Sequence, residues 1–205
     1  MAAGEPPLVF LDRDGVLNEL VLDPGSGRFE SPYSAAEVIV PPESVGAVRR
    51  LRTVGAVLAI VSNQPAAAKG TASLDDLGAV HDAVVALYAA AGIRFDTAIY
   101  CHHHPDAINK TFAGPCGCRK PAPGMLVEAA RRLGRGSISG SWLIGDSDVD
   151  ILAGAAVGAT TVLVENPLSA HRRRGVAEPD YRTPSVLSAA EIVAAHAAPE
   201  SAGDQ

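Results

Sequence analysis

Short apolar runs alternate with stretches of helical spacing along the chain. "LVFLD" (8–12), "AVLAIVSN" (56–63), "TAIYC" (97–101), "SWLIGD" (141–146) and "TTVLVE" (160–165) are near-continuous apolar runs, as expected of strands buried on both faces. Between them, 41–55 carries Val45, Val48 and Leu51 at helical spacing and stops at Gly55. The stretch 73–93 opens on Ser73 with Asp76 three residues on, a capping arrangement. Helices are also predicted over 123–134, with proline in the first turn, and over 150–158 and 188–197. Strand and helix in alternation predict an α/β fold: an open, mostly parallel, Rossmann-like sheet with helices on both faces and no large cap domain. Two segments, 19–40 and 101–118, fit neither pattern, and long unpatterned loops in compact domains are usually functional.

Composition narrows this further. The 205 residues suit one domain, expected over 1–200 with a flexible tail at 201–205. At 47% apolar and only 4% aromatic, the core must be built from Val, Leu, Ile and Ala. A net charge of −6 and the absence of a basic stripe argue against nucleic acid or a membrane surface as partner. The one basic run, His171–Arg174, reads as a solvated turn. No signal-peptide pattern and no membrane-length apolar run is present, so a cytoplasmic protein is expected. It is also expected to act as a monomer. All three cysteines fall between 101 and 118, and in a reducing compartment that points to a metal rather than disulfides.

Ligands of open parallel sheets bind beyond the carboxyl ends of the strands. There the chain places Asp12-Arg13-Asp14-Gly15, Ser62-Asn63-Gln64 and Gly145-Asp146, while Arg119-Lys120-Pro121 precedes the helix at 123. Asp12 and Asp14, two apart on extended chain, share a side. With Asp146 they would make a hard oxygen site suited to Mg²⁺. A lone D-x-D is usually a solvated turn; this one ends a buried strand and is matched by a second strand ending in Gly-Asp.

"FLDRDGVLN", "VSNQ", "CRKPAPGM" and "IGDSDVDI", in that order, resemble the haloacid dehalogenase (HAD) superfamily, in its branch of small zinc-containing phosphatases acting on heptose bisphosphate or histidinol phosphate. The resemblance covers residues 8 to about 165. It implies Asp12 as nucleophile, Asp14 as general acid and base, and Ser62 and Asn63 as donors to the phosphoryl group. Lys120 would stabilise its charge, and Arg119 would bind substrate. Mg²⁺ would lie among Asp12, the Asp14 carbonyl and Asp146, with Asp150 orienting Lys120 or a metal-bound water. Cys101 with His103, and Cys116 with Cys118, are pairs two apart. Facing each other they form Cys₃His, a closed and therefore structural Zn²⁺ site, in agreement with the family pattern. His104 is a possible substitute. The metal would fix the loop carrying Arg119 and Lys120.

The implied reaction is Mg²⁺-dependent phosphomonoester hydrolysis on a small phosphorylated sugar or polyol. D-glycero-D-manno-heptose 1,7-bisphosphate leads and histidinol phosphate is the alternative. A zinc-stabilised binding module without catalysis would need none of Asp12, Asp14, Ser62, Lys120 and Asp146, all of which are present. Departures from the family pattern fall in loops: "PAAAKG" after Gln64, Ser147 after Asp146, and a long 19–40 segment whose Arg28, Glu30 and Tyr33 are available to a substrate.

Overall fold

A computed structural model describes residues 5–197 of the chain. The expected tail at 201–205 and the last residues of the expected domain lie outside the described residues. Six strands form one sheet: β1 Leu8–Leu11, β4 Val57–Asn63, β5 Thr97–Cys101, β6 Trp142–Gly145, β7 Thr160–Val164 and β8 Tyr181–Thr183. Their order is β5-β4-β1-β6-β7-β8, with every neighbouring pair parallel. The five strands expected from the sequence are all present. The sixth, three residues long at the sheet edge, is too short to leave an apolar signature.

Alternation along β1 divides the core. Val9 and Leu11 pack with α1 (Pro42–Thr53), α3 (Leu74–Ala90) and α6 (Val186–Ala197). Leu8 and Phe10 pack with α4 (Gly124–Arg132) and with Ala153 of α5 (Asp148–Ala155). Because both faces are covered, all four β1 residues are buried, which explains a run with no polar alternation. The cap of α3 is as expected: Asp76 N–H donates to Ser73 Oγ (3.0 Å) and Ser73 N–H to Asp76 Oδ2 (2.9 Å).

Segment 19–40 is an antiparallel hairpin, β2 Val21–Asp23 with β3 Arg28–Glu30, followed by a 3-10 turn at Ala35–Glu37. The "PAAAKG" stretch is a short helix, α2 (Ala66–Lys69). Its alanines are buried, Ala66 and Ala67 in a small cluster with Leu77, Tyr33 and Phe112. The Ala68 carbonyl accepts from the N–H groups of Ile108 and Asn109 (2.9 and 3.1 Å), docking the cysteine-rich loop onto α2. β1 lies between β4 and β6, so the chain crosses from one half of the sheet to the other beside it. A crevice opens at such a switch point.

Candidate active site

Asp12 leaves the end of β1 with its N–H still bonded to the Ile144 carbonyl (3.0 Å). That ladder bond sets it beside Asp146, which follows β6. Asp12, Asp146 and Asp150 offer carboxylate oxygens all within 4.8 Å of one another, and all three residues are buried. Lys120 Nζ donates to Asp12 Oδ1 (2.9 Å) and to the Val61 carbonyl (2.8 Å), and pairs with Asp150 Oδ1 (2.5 Å). The other oxygen of Asp150 accepts from the Ser147 N–H (3.1 Å) at the start of α5. One carboxylate thus caps a helix and pairs with the lysine.

Charge balance in this cluster is uneven. Burial alone would lower the Lys120 pKa, but Asp12 and Asp150 outweigh it and hold the ammonium above the usual lysine range. Burial, then the charges of Asp12 and Asp150, push Asp146 up to about 8. Both Asp146 carboxylate oxygens are buried without a hydrogen-bond partner. Gly15 explains how they are reached: at φ +92° its backbone passes so close that an added Cβ would lie 2.0 Å from Asp146 Oδ2. Orphaned buried oxygens beside two further carboxylates are a donor set fitted to a hard divalent cation such as Mg²⁺.

A sign follows for metal-free protein. A carboxyl whose folded pKa lies above its unfolded value of 3.8 stabilises the fold below that value, and the contribution is lost as pH rises toward about 8. Metal-free protein is therefore expected to melt at progressively lower temperature from pH 5 to 8.5. Mg²⁺ should raise the melting temperature most at the upper end, and Asp146→Asn should flatten the profile, on a scale of a few kcal/mol. Thermal denaturation with and without Mg²⁺ measures this; a pH-independent Mg²⁺ effect would contradict it.

Asp14 does not join the carboxylate trio through its side chain. Arg13 grips it (Nε to Oδ1 3.0 Å, Nη2 to Oδ2 3.1 Å), with further donation from Asn18 (3.0 Å) and Gln64 (2.5 Å). Burial would raise its pKa, but the guanidinium and these hydrogen bonds hold it below the usual carboxylate range. Sequence reasoning missed Arg13 and Gln64. Gln64 had a signal, since it follows Ser62 by two on an extended segment, and its amide donates to Ser62 Oγ (3.0 Å). Ser62 is buried at the end of β4 and lines the cavity. The Asn63 side chain is committed to main chain, donating to the Lys120 carbonyl (3.0 Å) and accepting from the Lys120 N–H (3.1 Å). Arg119 donates to the His103 carbonyl (3.0 Å) and lines the same cavity, of about 550 Å³, a size usual for small-molecule sites.

The four expected zinc ligands converge. Cys101 Sγ lies 3.8 Å from Cys116 Sγ, 3.1 Å from Cys118 Sγ and 3.7 Å from His103 Nδ1, and Cys118 Sγ is 3.6 Å from the same nitrogen. A tetrahedron with Zn–S bonds near 2.3 Å has edges of about 3.8 Å, so three thiols and one imidazole at these spacings fit zinc. His104 is outside this group; its Nδ1 accepts from the Asp106 N–H (3.1 Å). At Gly124 an added Cβ would come within 2.3 Å of the Gly117 carbonyl, so only glycine lets α4 abut the loop.

The basic run is not a solvated turn. It closes a 3-10 segment, Pro167–Arg172, and His171, Arg172 and Arg174 line the cavity. Arg173 donates to the Asp146 carbonyl (3.1 Å) and Asp148 accepts from the Arg174 N–H (2.6 Å). Nothing near the run in the chain signals this, because the anchors lie more than twenty residues away.

Comparisons with known proteins agree with this geometry. A family profile described as HAD-hydrolase-like matches residues 117–189. D-glycero-β-D-manno-heptose-1,7-bisphosphate 7-phosphatase of Pseudomonas putida is 38% identical over 159 residues, 77% of this chain and 82% of that protein. The enzyme of the same name from Pseudomonas aeruginosa is 37% identical over 158 residues, 77% of this chain and 80% of that protein. The crystal structure of D,D-heptose 1,7-bisphosphate phosphatase from B. bronchiseptica, complexed with magnesium and phosphate, superposes with a TM-score of 0.75 at 29% identity, covering 93% of this chain and 99% of that one. No described helix is long and apolar enough to cross a membrane. The chain therefore belongs to the HAD superfamily of phosphatases, in the branch that holds the heptose-1,7-bisphosphate 7-phosphatases.

Proposed function

We propose that this phosphatase is a cytoplasmic enzyme, a monomer of one domain, that removes the 7-phosphate of D-glycero-D-manno-heptose 1,7-bisphosphate through an aspartyl-phosphate. The observation that carries the reaction is the buried juxtaposition of Asp12, Asp146 and Lys120 at one strand-end crevice. The substrate is favoured by the relatives, which are named for it.

An Asp12 carboxylate oxygen attacks phosphorus in line and the bond to the leaving oxygen breaks, with Asp14 supplying that oxygen's proton. Water then attacks the aspartyl-phosphate, Asp14 takes its proton, and the bond between phosphorus and Asp12 breaks to release phosphate. In the resting protein Asp14 is held as a carboxylate, the form the second step needs. The approach of a dianionic phosphoryl group adds like charge, which raises Asp14 and favours proton uptake for the first step. Lys120 offsets charge on the transferring group and keeps Asp12 aimed. Ser62 donates its hydroxyl to a phosphoryl oxygen. Asn63 acts at the substrate through its main chain and positions Lys120 through its side chain. Arg119 binds substrate oxygens, and the hairpin of 19–40 covers the cavity as a flap. Asp12, the Asp14 carbonyl and Asp146 hold Mg²⁺, which when bound neutralises charge on the phosphoryl oxygens.

Cys101, His103, Cys116 and Cys118 hold a structural Zn²⁺ that fixes Arg119 and Lys120. Chelation that strips zinc is expected to cut kcat about tenfold or more and to raise proteolytic sensitivity within 101–120, the scale seen when support of a site is lost. Undiminished activity in protein shown by metal analysis to be zinc-free would refute that role. Phosphate release with Mg²⁺ should show kcat/KM for the heptose bisphosphate well above that for histidinol phosphate; the reverse order would overturn the substrate assignment.

A further inference from the structure

Behind the cavity lies a cluster that the chemistry above does not use. Arg13 is fully buried, and its Nε and Nη2 are spent on Asp14 and Gln64. The guanidinium lies over the Tyr100 ring, with Cζ 5.8 Å from the centroid. Tyr100 stands beside Ser62 in the parallel register of β4 and β5, so both side chains fall on one face of the sheet. Cys101, the next residue, belongs to the opposite core with the other thiols. The Tyr100 hydroxyl is 2.6 Å from Nδ1 of His81 on α3, and the two rings meet edge to face at 5.1 Å. Burial lowers the His81 pKa, Asp82 pulls against it and Arg13 adds to it, so the imidazole is neutral at neutral pH and accepts the hydrogen bond of the phenol. Burial raises the phenol pKa and Arg13 works against that, which shows how near the guanidinium is to the hydroxyl. A guanidinium held by a carboxylate at one end and an aromatic ring on its face, with the ring tied to a helix, is restrained from both sides.

We propose that Tyr100, anchored by His81, is a positioning residue for the general acid: it braces Arg13, and the braced guanidinium fixes the direction in which Asp14 presents its carboxyl to the leaving oxygen. This rests on the reading of Asp14 as general acid given above. Neither Tyr100 nor His81 lines the cavity, so both act through Arg13. Two parallel bonds from one planar fork transmit orientation as well as charge, so a tilt of the guanidinium turns the carboxylate with it.

The test compares two esters of similar size, benzyl phosphate and 4-nitrophenyl phosphate. Benzyl alkoxide needs the Asp14 proton to leave, whereas nitrophenolate leaves as a stable anion. With enzyme in excess and Mg²⁺ present, release of the alcohol or phenol reports the first bond cleavage alone. Tyr100→Phe keeps the ring over Arg13 and removes the tie to His81. It is expected to slow benzyl alcohol release about tenfold and nitrophenol release by less than about twofold, as for an acid that is present but misdirected. The unchanged nitrophenyl rate also certifies the fold. His81→Leu should reproduce this split, and the double variant should lose no more than either single one, because both remove the same bond. Equal losses on the two esters would mark a merely structural contact and overturn the proposal. So would no loss on either ester, or losses that multiply in the double variant. Asp14→Asn is the reference, expected to show a split of about 10²–10⁴-fold. A split in Asp14→Asn without one in Tyr100→Phe sinks the positioning role alone, and no split in Asp14→Asn sinks the acid role of Asp14 and this proposal with it.

Discussion

Asp12→Asn is expected to abolish phosphate release, by on the order of 10⁴-fold or more, while leaving the fold in place. The amide has nearly the shape of the carboxyl but lacks the nucleophilic oxygen that would carry the phosphoryl group. Folding should survive because Asp12 is itself a strained occupant: burial and the charges of Asp150 and Asp14 raise its pKa against the pull of Lys120. Removing its charge relieves repulsion in the trio, and Lys120 keeps Asp150 and the Val61 carbonyl. The measurement is single-turnover phosphate release alongside a thermal melt. Release at the wild-type rate would refute Asp12 as nucleophile, and a collapsed melt would show that its charge holds the fold.

Lys120→Met should instead damage both stability and rate. Lys120 is buried and is the ion-pair partner of both Asp12 and Asp150. Breaking a buried pair from one side typically costs about 3–5 kcal/mol, because the remaining charge stays desolvated. Activity is expected to fall about 10²–10³-fold, the scale for loss of one preorganised electrostatic contact to a transition state. The double variant Lys120→Met with Asp150→Asn separates the effects: stability should return in part, since one orphaned charge is gone, and activity should not. Denaturant unfolding and kcat on the same samples decide it. Recovery of both together would mean that Lys120 serves the fold alone.

How much was legible beforehand depended on how local each signal was. β1, β4, β5, β6 and β7 announce themselves because each is apolar on both faces. The Ser73 cap of α3 is written in four consecutive residues. Asp12, Asp146 and Lys120 could be grouped because strand ends of a parallel sheet meet at one edge, and the thiols because period two selects ligands on one side of an extended chain. The remainder depended on tertiary neighbours. Ala66 and Ala67 of α2 look like a defect in a phosphate-binding turn until Leu77, Tyr33 and Phe112 are seen over them. Arg13 reads as a spacer between two aspartates, yet it is fully buried and grips one of them. The basic run looks solvated because charge in a loop usually is, and its ties to Asp146 and Asp148 come from main-chain groups that no composition records.

The pair of bonds between Asn63 and the main chain of Lys120 has a wider consequence. It splices the serine-bearing strand to the lysine-bearing loop, so the hydroxyl and the ammonium travel as one rigid body. The hairpin, by contrast, is joined to the basic run across the cavity by the surface-reaching Glu30–Arg172 pair. Descent with modification can therefore redraw the rim and change which molecule is welcomed, while the reacting half keeps its alignment.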